Sequence, residues 1–316
     1  MNTHRPENSY RPGEDFLPPR VSLTVTPPAP EPGKAVTLTA TLTNTTGIAL
    51  RAAVLYLAVD DTGKPSSLDT LAPGRSVTRT WRTRLADDAE GRIVFTAHAL
   101  FDVHRHGSDC TRASSSVTMP SRSLPGAFDN AGIASDDALT AANIDGSNSS
   151  LSAEALASAG LTPGAAVTYD GVPFTWPDTR PGSKDNVVSS GQRVLLSGSG
   201  SRLSFLGTST WGEGKGDGKV VYTDGTEQAF SVAVPDWYGA SSSAAVVLPY
   251  RHIATGRDDN PVSLFTFGVD LAAGKELSSL VLPKVSDSLQ AGVPALHLFA
   301  MTITTSTTTT STTSTN

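Results

Sequence analysis

The 316-residue chain is long enough for two domains of ordinary size, each with its own hydrophobic core. Charged residues make up only 17% of it and the formal net charge is -6, which excludes a broad basic field for nucleic acid or an anionic membrane. No stretch is long and apolar enough for a transmembrane helix. The single cysteine, Cys110, excludes an intrachain disulfide.

Residues 1–19 are rich in proline, mixed in charge and without the apolar core of a signal peptide. This composition is typical of an interdomain linker. It favours an extracellular protein, exported as the carboxy-terminal part of a longer chain, over a cytoplasmic one.

Residues 20–119 alternate apolar and polar side chains between short turns, which is the pattern of β-strands. In LAPGRSVTRTWRTRL a Pro-Gly turn precedes a strand that places Val77 and Trp81 on its inward face. Six or seven strands in about 100 residues predict an immunoglobulin-like β-sandwich.

Residues 124–303 predict a second β-sandwich, of jelly-roll or galactose-binding-like type, so the whole chain is expected to be all-β. Short apolar runs alternate there with Pro-Gly, Asp-Gly and Ser-Gly turns. One short helix is expected in SAEALASAG, which Ser152 can cap and Gly160 can end. Residues 304–316 are almost entirely Ser and Thr, and we expect a disordered tail or an O-glycosylated stalk.

Two turns of the first domain, Asn44-Thr45-Thr46-Gly47 and LAPGRSVT at residues 71–78, carry a family resemblance. With the strands around them, they make residues 20–119 resemble the α-galactosidase-associated immunoglobulin-like module of actinobacterial enzymes. The resemblance implies a spacer that positions its neighbour.

The segments AFDNAGI, GLTPGAAVTYDGVPFTWPD, DNVVSSGQ, SRLSFLGT, VVYTDGTEQAF, PDWYG, LPYRH and ALHLFAM follow one another in the second domain. In this order they resemble a carboxy-terminal module shared by many secreted actinobacterial hydrolases, glycoside hydrolases prominent among them. The resemblance implies a β-sandwich accessory domain attached to an exo-acting glycosidase or similar enzyme. It does not imply catalysis by the module itself.

Aromatic and polar residues near the ends of predicted strands form a candidate carbohydrate-binding platform. Sugar rings have apolar C–H faces that pack on aromatic rings, while acidic and basic groups bind the hydroxyls. The candidates are Trp176, Asp178, Trp211, Asp236, Trp237, Tyr238, Tyr250 and Arg251. Core or sandwich-rim positions are the alternative for each aromatic residue, above all for Trp176, which alternates with Phe174.

A group of oxygen-bearing side chains suggests a structural calcium ion, because calcium takes six to eight oxygen ligands. The candidates are Asp129, Asn130, Asp136, Asp137 and Asp145. Their spacing is not that of an EF-hand, and solvated turn acids or helix caps are the alternative.

Catalytic motifs are weak in this sequence. Glu154, Glu213 and Glu227 fall on a helix, a loop and a strand, with no barrel that would set two carboxylates across a cleft. The sequence therefore predicts a non-catalytic accessory region of a secreted carbohydrate-active hydrolase, which binds or positions a glycan or polysaccharide beside a covalently linked catalytic domain. The alternatives are the carboxy-terminal fragment of a glycoside hydrolase and a structural scaffold or adhesion module.

Overall fold

The computed structural model describes residues 19–57, 66–89, 91–103 and 107–305. These residues fall into two compact units, divided between Met119 and Pro120. None of the helices in these ranges has the length and hydropathy needed to cross a bilayer. The predicted linker, up to residue 18, and the predicted Ser/Thr tail, from residue 306, lie outside the described residues.

The first unit contains seven described strands. They are β1 Arg20–Thr26, β2 Ala35–Thr43, β3 Leu50–Leu57, β4 Ser66–Leu71, β5 Ser76–Arg84, β6 Arg92–Val103 and β7 Gly107–Thr118. Two antiparallel sheets result, with strand orders β1-β2-β5 and β4-β3-β6-β7. Seven antiparallel strands in two sheets is the strand count of the constant-type immunoglobulin sandwich.

The period-2 pattern of β2 explains the core of this unit. Val36, Leu38, Ala40 and Leu42 are fully buried, while the threonines between them are half-buried on the other face. The inward positions predicted for Val77 and Trp81 are confirmed, since both pack against this core.

The second unit has fifteen described strands and one short α-helix. The helix is α1, Ala153–Ser158, and single 3-10 turns lie at Pro125–Ala127 and Leu139–Ala141. The strands are β8 Ile133–Ala134, β9 Ser150–Ser152, β10 Ala166–Tyr169, β11 Val172–Thr175, β12 Val187–Val188, β13 Arg193–Leu195, β14 Arg202–Thr210, β15 Gly214–Tyr222, β16 Glu227–Val234, β17 Val246–Leu248, β18 Arg251–Ile253, β19 Gly256–Asp258, β20 Val262–Asp270, β21 Leu277–Lys284 and β22 Ala295–Thr304.

Two larger sheets form the body of the second unit, with orders β12-β22-β14-β20-β17 and β13-β21-β15-β16. A smaller sheet, β19-β18-β9-β8, and the hairpin β10-β11 complete it. The all-β prediction for the chain is confirmed.

The predicted helix is confirmed together with its cap. The Ser152 side chain accepts a hydrogen bond from the backbone N–H of Ala155 at 3.1 Å, which satisfies one of the free donors of the first turn. Gly160 follows the last turn with a φ of 86°, a left-handed conformation that glycine adopts without steric cost. The helix thereby fixes Ser152, whose hydroxyl also donates a hydrogen bond to Asp136 at 2.6 Å.

Candidate functional site

The aromatic residues predicted as a platform divide into buried and exposed groups. Trp176 and Trp237 are each 2% exposed and Tyr250 is also buried, whereas Trp211 is 43% and Tyr238 51% exposed. Trp176, Trp237 and Tyr250 are core residues, so their assignment as sugar-stacking residues is corrected. For Trp176 the reason is its alternation with buried Phe174, which turns the indole inward against Phe299 at 5.0 Å between ring centroids.

Trp211 lies in the short turn between β14 and β15 and has a backbone φ of 60°. A bulky residue in this left-handed region is strained by about 1–2 kcal/mol, because its Cβ crowds the backbone. The indole Nε1 donates a hydrogen bond to the backbone carbonyl of Asp145. One edge of the ring is thereby anchored while much of its surface faces solvent.

Asp236 connects the Trp211 turn to the segment that follows β16. Its carboxylate accepts hydrogen bonds from the backbone N–H of Gly212 and from that of Tyr238, the latter at 2.8 Å. The backbone N–H of Trp237 donates to the Ser209 carbonyl at 2.7 Å. The two exposed aromatic residues are therefore held at the same end of the second unit.

Arg251 at the start of β18 completes this group. Its guanidinium lies 4.7 Å from the Tyr238 ring centroid and 5.2 Å from that of Trp237. Its Nε donates to Asp258 at 2.9 Å. We call Trp211, Asp236, Tyr238 and Arg251 the aromatic rim. It combines two exposed rings with a half-buried carboxylate and with a guanidinium that is 17% exposed and ion-paired with Asp258.

Asp178 is not brought to the aromatic rim. It is exposed beside Gly164, and within the described ranges it shares no hydrogen bond, ion pair or ring contact with the four rim residues. Asp178 is close to Trp176 in sequence, but the two do not form a binding site together, because the Trp176 side chain turns into the core.

Four of the five candidate calcium ligands form hydrogen bonds with separate partners. Asp129 accepts from the backbone N–H of Val188 at 2.9 Å and from the Gln192 amide at 3.1 Å. Asp145 accepts from residues of its own turn, Ser147 and Ser149.

Asn130 bridges to Asn186, Asp136 belongs to the cluster described below, and Asp137 follows it in the same loop. No three acidic, histidine or cysteine residues in the described part of the chain are grouped so that they could hold a metal ion. Calcium binding stays a prediction.

A polar cluster around Asp136 was not predicted as a unit. The carboxylate accepts hydrogen bonds from Ser152 Oγ at 2.6 Å, Tyr250 Oη at 2.8 Å and His252 Nε2 at 2.9 Å. Partial burial acts to raise the pKa of Asp136, but these hydrogen bonds outweigh it and lower the pKa to about 2. The carboxylate therefore stays ionised and joins the loop after β8, the cap of α1 and strand β18.

The order Ser150, His252, Asp136 within this cluster resembles a hydrolytic triad in connectivity only. His252 Nδ1 lies 3.2 Å from Ser150 Oγ, but Ser150 and His252 are both fully buried. A nucleophile must reach its substrate, so this arrangement is structural. The guanidinium of Arg257 covers the Tyr250 ring at 3.6 Å and closes the cluster from another side.

A second polar cluster lies in the interior. His297 Nδ1 is 2.9 Å from Asn186 Oδ1, and burial lowers the pKa of His297 to about 3, so the ring is neutral. The neighbouring Asp185 accepts from Asn186 and from the backbone N–H groups of Gly132 and Ile133. Burial raises the pKa of Asp185 to about 6 against those hydrogen bonds. His297 is fully buried and is therefore a core residue of the second unit.

These features define the second unit as a β-sandwich module whose exposed aromatic residues are concentrated at one end. Residues 117–307 match the family described as the AziU2-like beta-sandwich domain. The chain belongs to this family, which covers more than half of its length. A comparison with curated protein sequences gives no significant match.

Solved structures give distant similarities. Spo0M, a sporulation control protein from Bacillus subtilis, is 17% identical with a TM-score of 0.22 over 32% of this chain, and the chain spans about half, 49%, of its length. A CARDB domain from Pyrococcus furiosus is 15% identical with a TM-score of 0.24, over 32% of this chain and 94% of that domain. A carbohydrate-binding module of the β-sandwich superfamily is 9% identical with a TM-score of 0.22, over 91% and 98% of the two chains. None of these three is described as a galactosidase or other hydrolase.

Proposed function

We propose that the second unit binds glycan chains through the aromatic rim. The supporting observation is that Trp211 and Tyr238, both largely exposed, are held at one end of the unit by the same carboxylate, Asp236. Sugar rings pack their C–H faces on such rings, and the Asp236 carboxylate and Arg251 guanidinium are suited to hydroxyl groups. A few apolar contacts with well-placed polar groups are what a small-molecule site needs.

The backbone of Trp211 supports the same proposal. A large apolar residue is kept in a strained left-handed turn and left partly in water, although glycine would fit that conformation without strain. Residues in sparsely populated backbone conformations cluster at functional sites, where the surrounding structure holds them in place. At Trp211 the hydrogen bonds from the indole to Asp145 and from Gly212 to Asp236 hold the turn with the ring partly in solvent.

We extend the proposal to an accessory role outside the cell, beside a carbohydrate-active hydrolase in the same polypeptide. This extension rests on the sequence resemblance of both domains to modules of secreted actinobacterial glycoside hydrolases. Weak binding at one rim would be useful there, because tethering raises the effective concentration of the enzyme at its substrate.

The test is binding of the full chain to insoluble and soluble polysaccharides, by pull-down and calorimetry, for the wild type and for Trp211→Ala and Tyr238→Ala. Loss of the face on which a sugar ring packs removes about 1–2 kcal/mol of apolar burial, so each variant should bind about 5- to 30-fold more weakly. Trp211→Phe and Tyr238→Phe keep a ring and should retain most of the affinity. Val247→Ala, which truncates another exposed apolar residue of the same unit, is the matched control.

Two results would overturn the proposal. One is binding that survives Trp211→Ala and Tyr238→Ala unchanged. The other is a wild type that retains no polysaccharide across a panel of glucans, xylans, mannans and galactans, which would favour a structural scaffold.

A further inference from the structure

An open cleft lies near the aromatic rim. It has a volume of about 520 Å³ and is lined by residues 215–217 of β15 and residues 284–287 at and after the end of β21. It is shallow and open to solvent, so a ligand bound there would remain partly hydrated.

The cleft arises because two paired strands part. The pairing of β15 with β21 reaches Asp217 and Lys284, and the next residue, Val285, donates its backbone N–H to the Ser189 carbonyl instead. Gly216 lies where the two strands separate, and a Cβ there would be 2.7 Å from the Lys284 carbonyl oxygen. The glycine therefore allows the close approach of the strands beside the cleft.

The walls of the cleft carry donors and acceptors in balanced number. Lys215 pairs with Glu213 at 2.7 Å, and Lys284 pairs with Asp287 at 2.6 Å. Asp217 accepts from Ser231 Oγ at 2.6 Å. The ion pairs are largely exposed, and such pairs contribute little to stability, so a ligand can open them at small cost.

One lining residue has an unmet hydrogen bond. Ser286 is 8% exposed, and its Oγ is one of only two buried side-chain polar atoms in the described part of the chain without a hydrogen-bond partner. A buried hydroxyl without a partner is destabilising. Because this oxygen has almost no accessible surface, a rotation about the Ser286 Cα–Cβ bond must first bring it to the cleft, where it can both donate to and accept from a ligand hydroxyl.

The cleft and the rim share one end of the sheet β13-β21-β15-β16. Strand β15 begins at Gly214, just after the Trp211 turn, and the stretch from Gly214 to Asp217 spans about 10 Å at ~3.3 Å per residue. The end of β16 and Asp236 flank β15 on the side opposite to β21. A chain-like ligand can therefore reach from the rim into the cleft.

We propose that this cleft is a second sugar subsite, which takes an uncharged, hydroxyl-rich ring of the glycan whose neighbouring rings pack on the aromatic rim. The inference rests on the proposed function. It narrows the ligand to an extended neutral oligosaccharide, because the lysines of the cleft are balanced by carboxylates and leave no net positive charge for an acidic sugar.

The test is calorimetric titration of the full chain with cello-, xylo-, manno- and galacto-oligosaccharides, from disaccharide to hexasaccharide. Lys215→Ala, Lys284→Ala and Ser286→Ala should each weaken binding of the longer chains about 3- to 10-fold, the effect of one hydrogen bond, and leave disaccharide binding unchanged. Lys219→Ala is the matched control, since Lys219 is also a β15 lysine in an exposed ion pair, with Glu227 at 2.8 Å, but lies outside the cleft. Ser286→Ala should keep or raise the melting temperature, which separates lost binding from lost folding.

The outcomes separate this inference from the proposed function. If Trp211→Ala weakens binding at every chain length while the three cleft variants behave like Lys219→Ala, the cleft inference is overturned and the rim remains. If the wild type binds oligogalacturonides more tightly than the neutral series, and Lys284→Ala lacks this preference, then the assignment of the ligand to neutral oligosaccharides is wrong. If the neutral series shifts the backbone amide resonances of Gly216 and Ser286 but not those around Trp211, the rim proposal fails, and with it the inference that the cleft binds the same glycan as the rim. No shift at either place overturns both.

Discussion

Trp176 and Trp211 belong to the same unit and both follow a β-strand, yet one is 2% and the other 43% exposed. Trp176 continues the alternation of β11 and stacks on Phe299. Trp211 follows β14, whose residues from Leu203 to Thr210 are all buried, and leaves the sheet with a positive φ, with its indole N–H hydrogen-bonded to the Asp145 carbonyl. The backbone conformation at a single residue thus separates an aromatic residue that stabilises the core from one that is free to meet a ligand.

The ionisable groups show a related contrast between the interior and the surface. His297 is fully buried and held neutral, while Asp136 reaches solvent and stays ionised through its hydrogen bonds.

The largest expected effect tests the interior side of the comparison. Trp176→Ala should lower the free energy of unfolding by about 3–5 kcal/mol, because it removes a buried aromatic side chain and leaves a cavity beside Phe299. Urea denaturation followed by circular dichroism measures this. A loss below about 1 kcal/mol would mean that the indole is not a core element.

The next effect concerns the buried histidine. The folded-state pKa of His297, about 3, lies below its ordinary value of 6.5, so only the unfolded chain takes up this proton as the pH falls below about 6.5. Stability is then lost progressively toward pH 3. Between pH 6.5 and 4.5 the wild type should lose about 1–2 kcal/mol more than His297→Gln, measured by urea denaturation at each pH.

The contribution of Asp185 to stability depends on pH in the opposite sense. The wild type and His297→Gln both contain Asp185, so this contribution cancels when the two are compared. Its folded-state pKa of about 6 lies above the ordinary 3.8, so its contribution to stability is present at low pH and is lost as the pH rises through 6. Parallel pH profiles for the wild type and His297→Gln would contradict a neutral buried histidine.

The smallest effect sharpens the account of Trp211. At a φ of 60°, Trp211→Gly should be more stable than Trp211→Ala by about 1 kcal/mol, because glycine alone adopts this conformation without strain. Thermal unfolding of the two variants measures the difference. Equal melting temperatures would remove strain from the argument for function.

The strand and cap patterns were sufficient to predict the all-β class, the inward side chains Val77 and Trp81, and the cap formed by Ser152. Each depends on neighbours in sequence. The burial of Trp237 and Tyr250 could not be predicted, because they are covered by side chains from other segments, as Arg251 covers Trp237.

The Asp136 cluster also could not be predicted, because it is formed by residues that are distant in sequence. The hydrogen bond from His252 to Asp136 joins residues 116 positions apart, and no local pattern reports it. Acidic residues close in sequence, such as Asp129 and Asp145, turned to different partners.

The exposed thiol of Cys110 on β7 gives the chain a single chemical handle. The sequence contains no second cysteine to compete for a maleimide reagent. A biotin or fluorophore attached there sits in the first unit, whereas the aromatic rim and the cleft belong to the second. The unaltered chain can therefore be immobilised through a single attachment site on a sensor surface, with glycans supplied in solution.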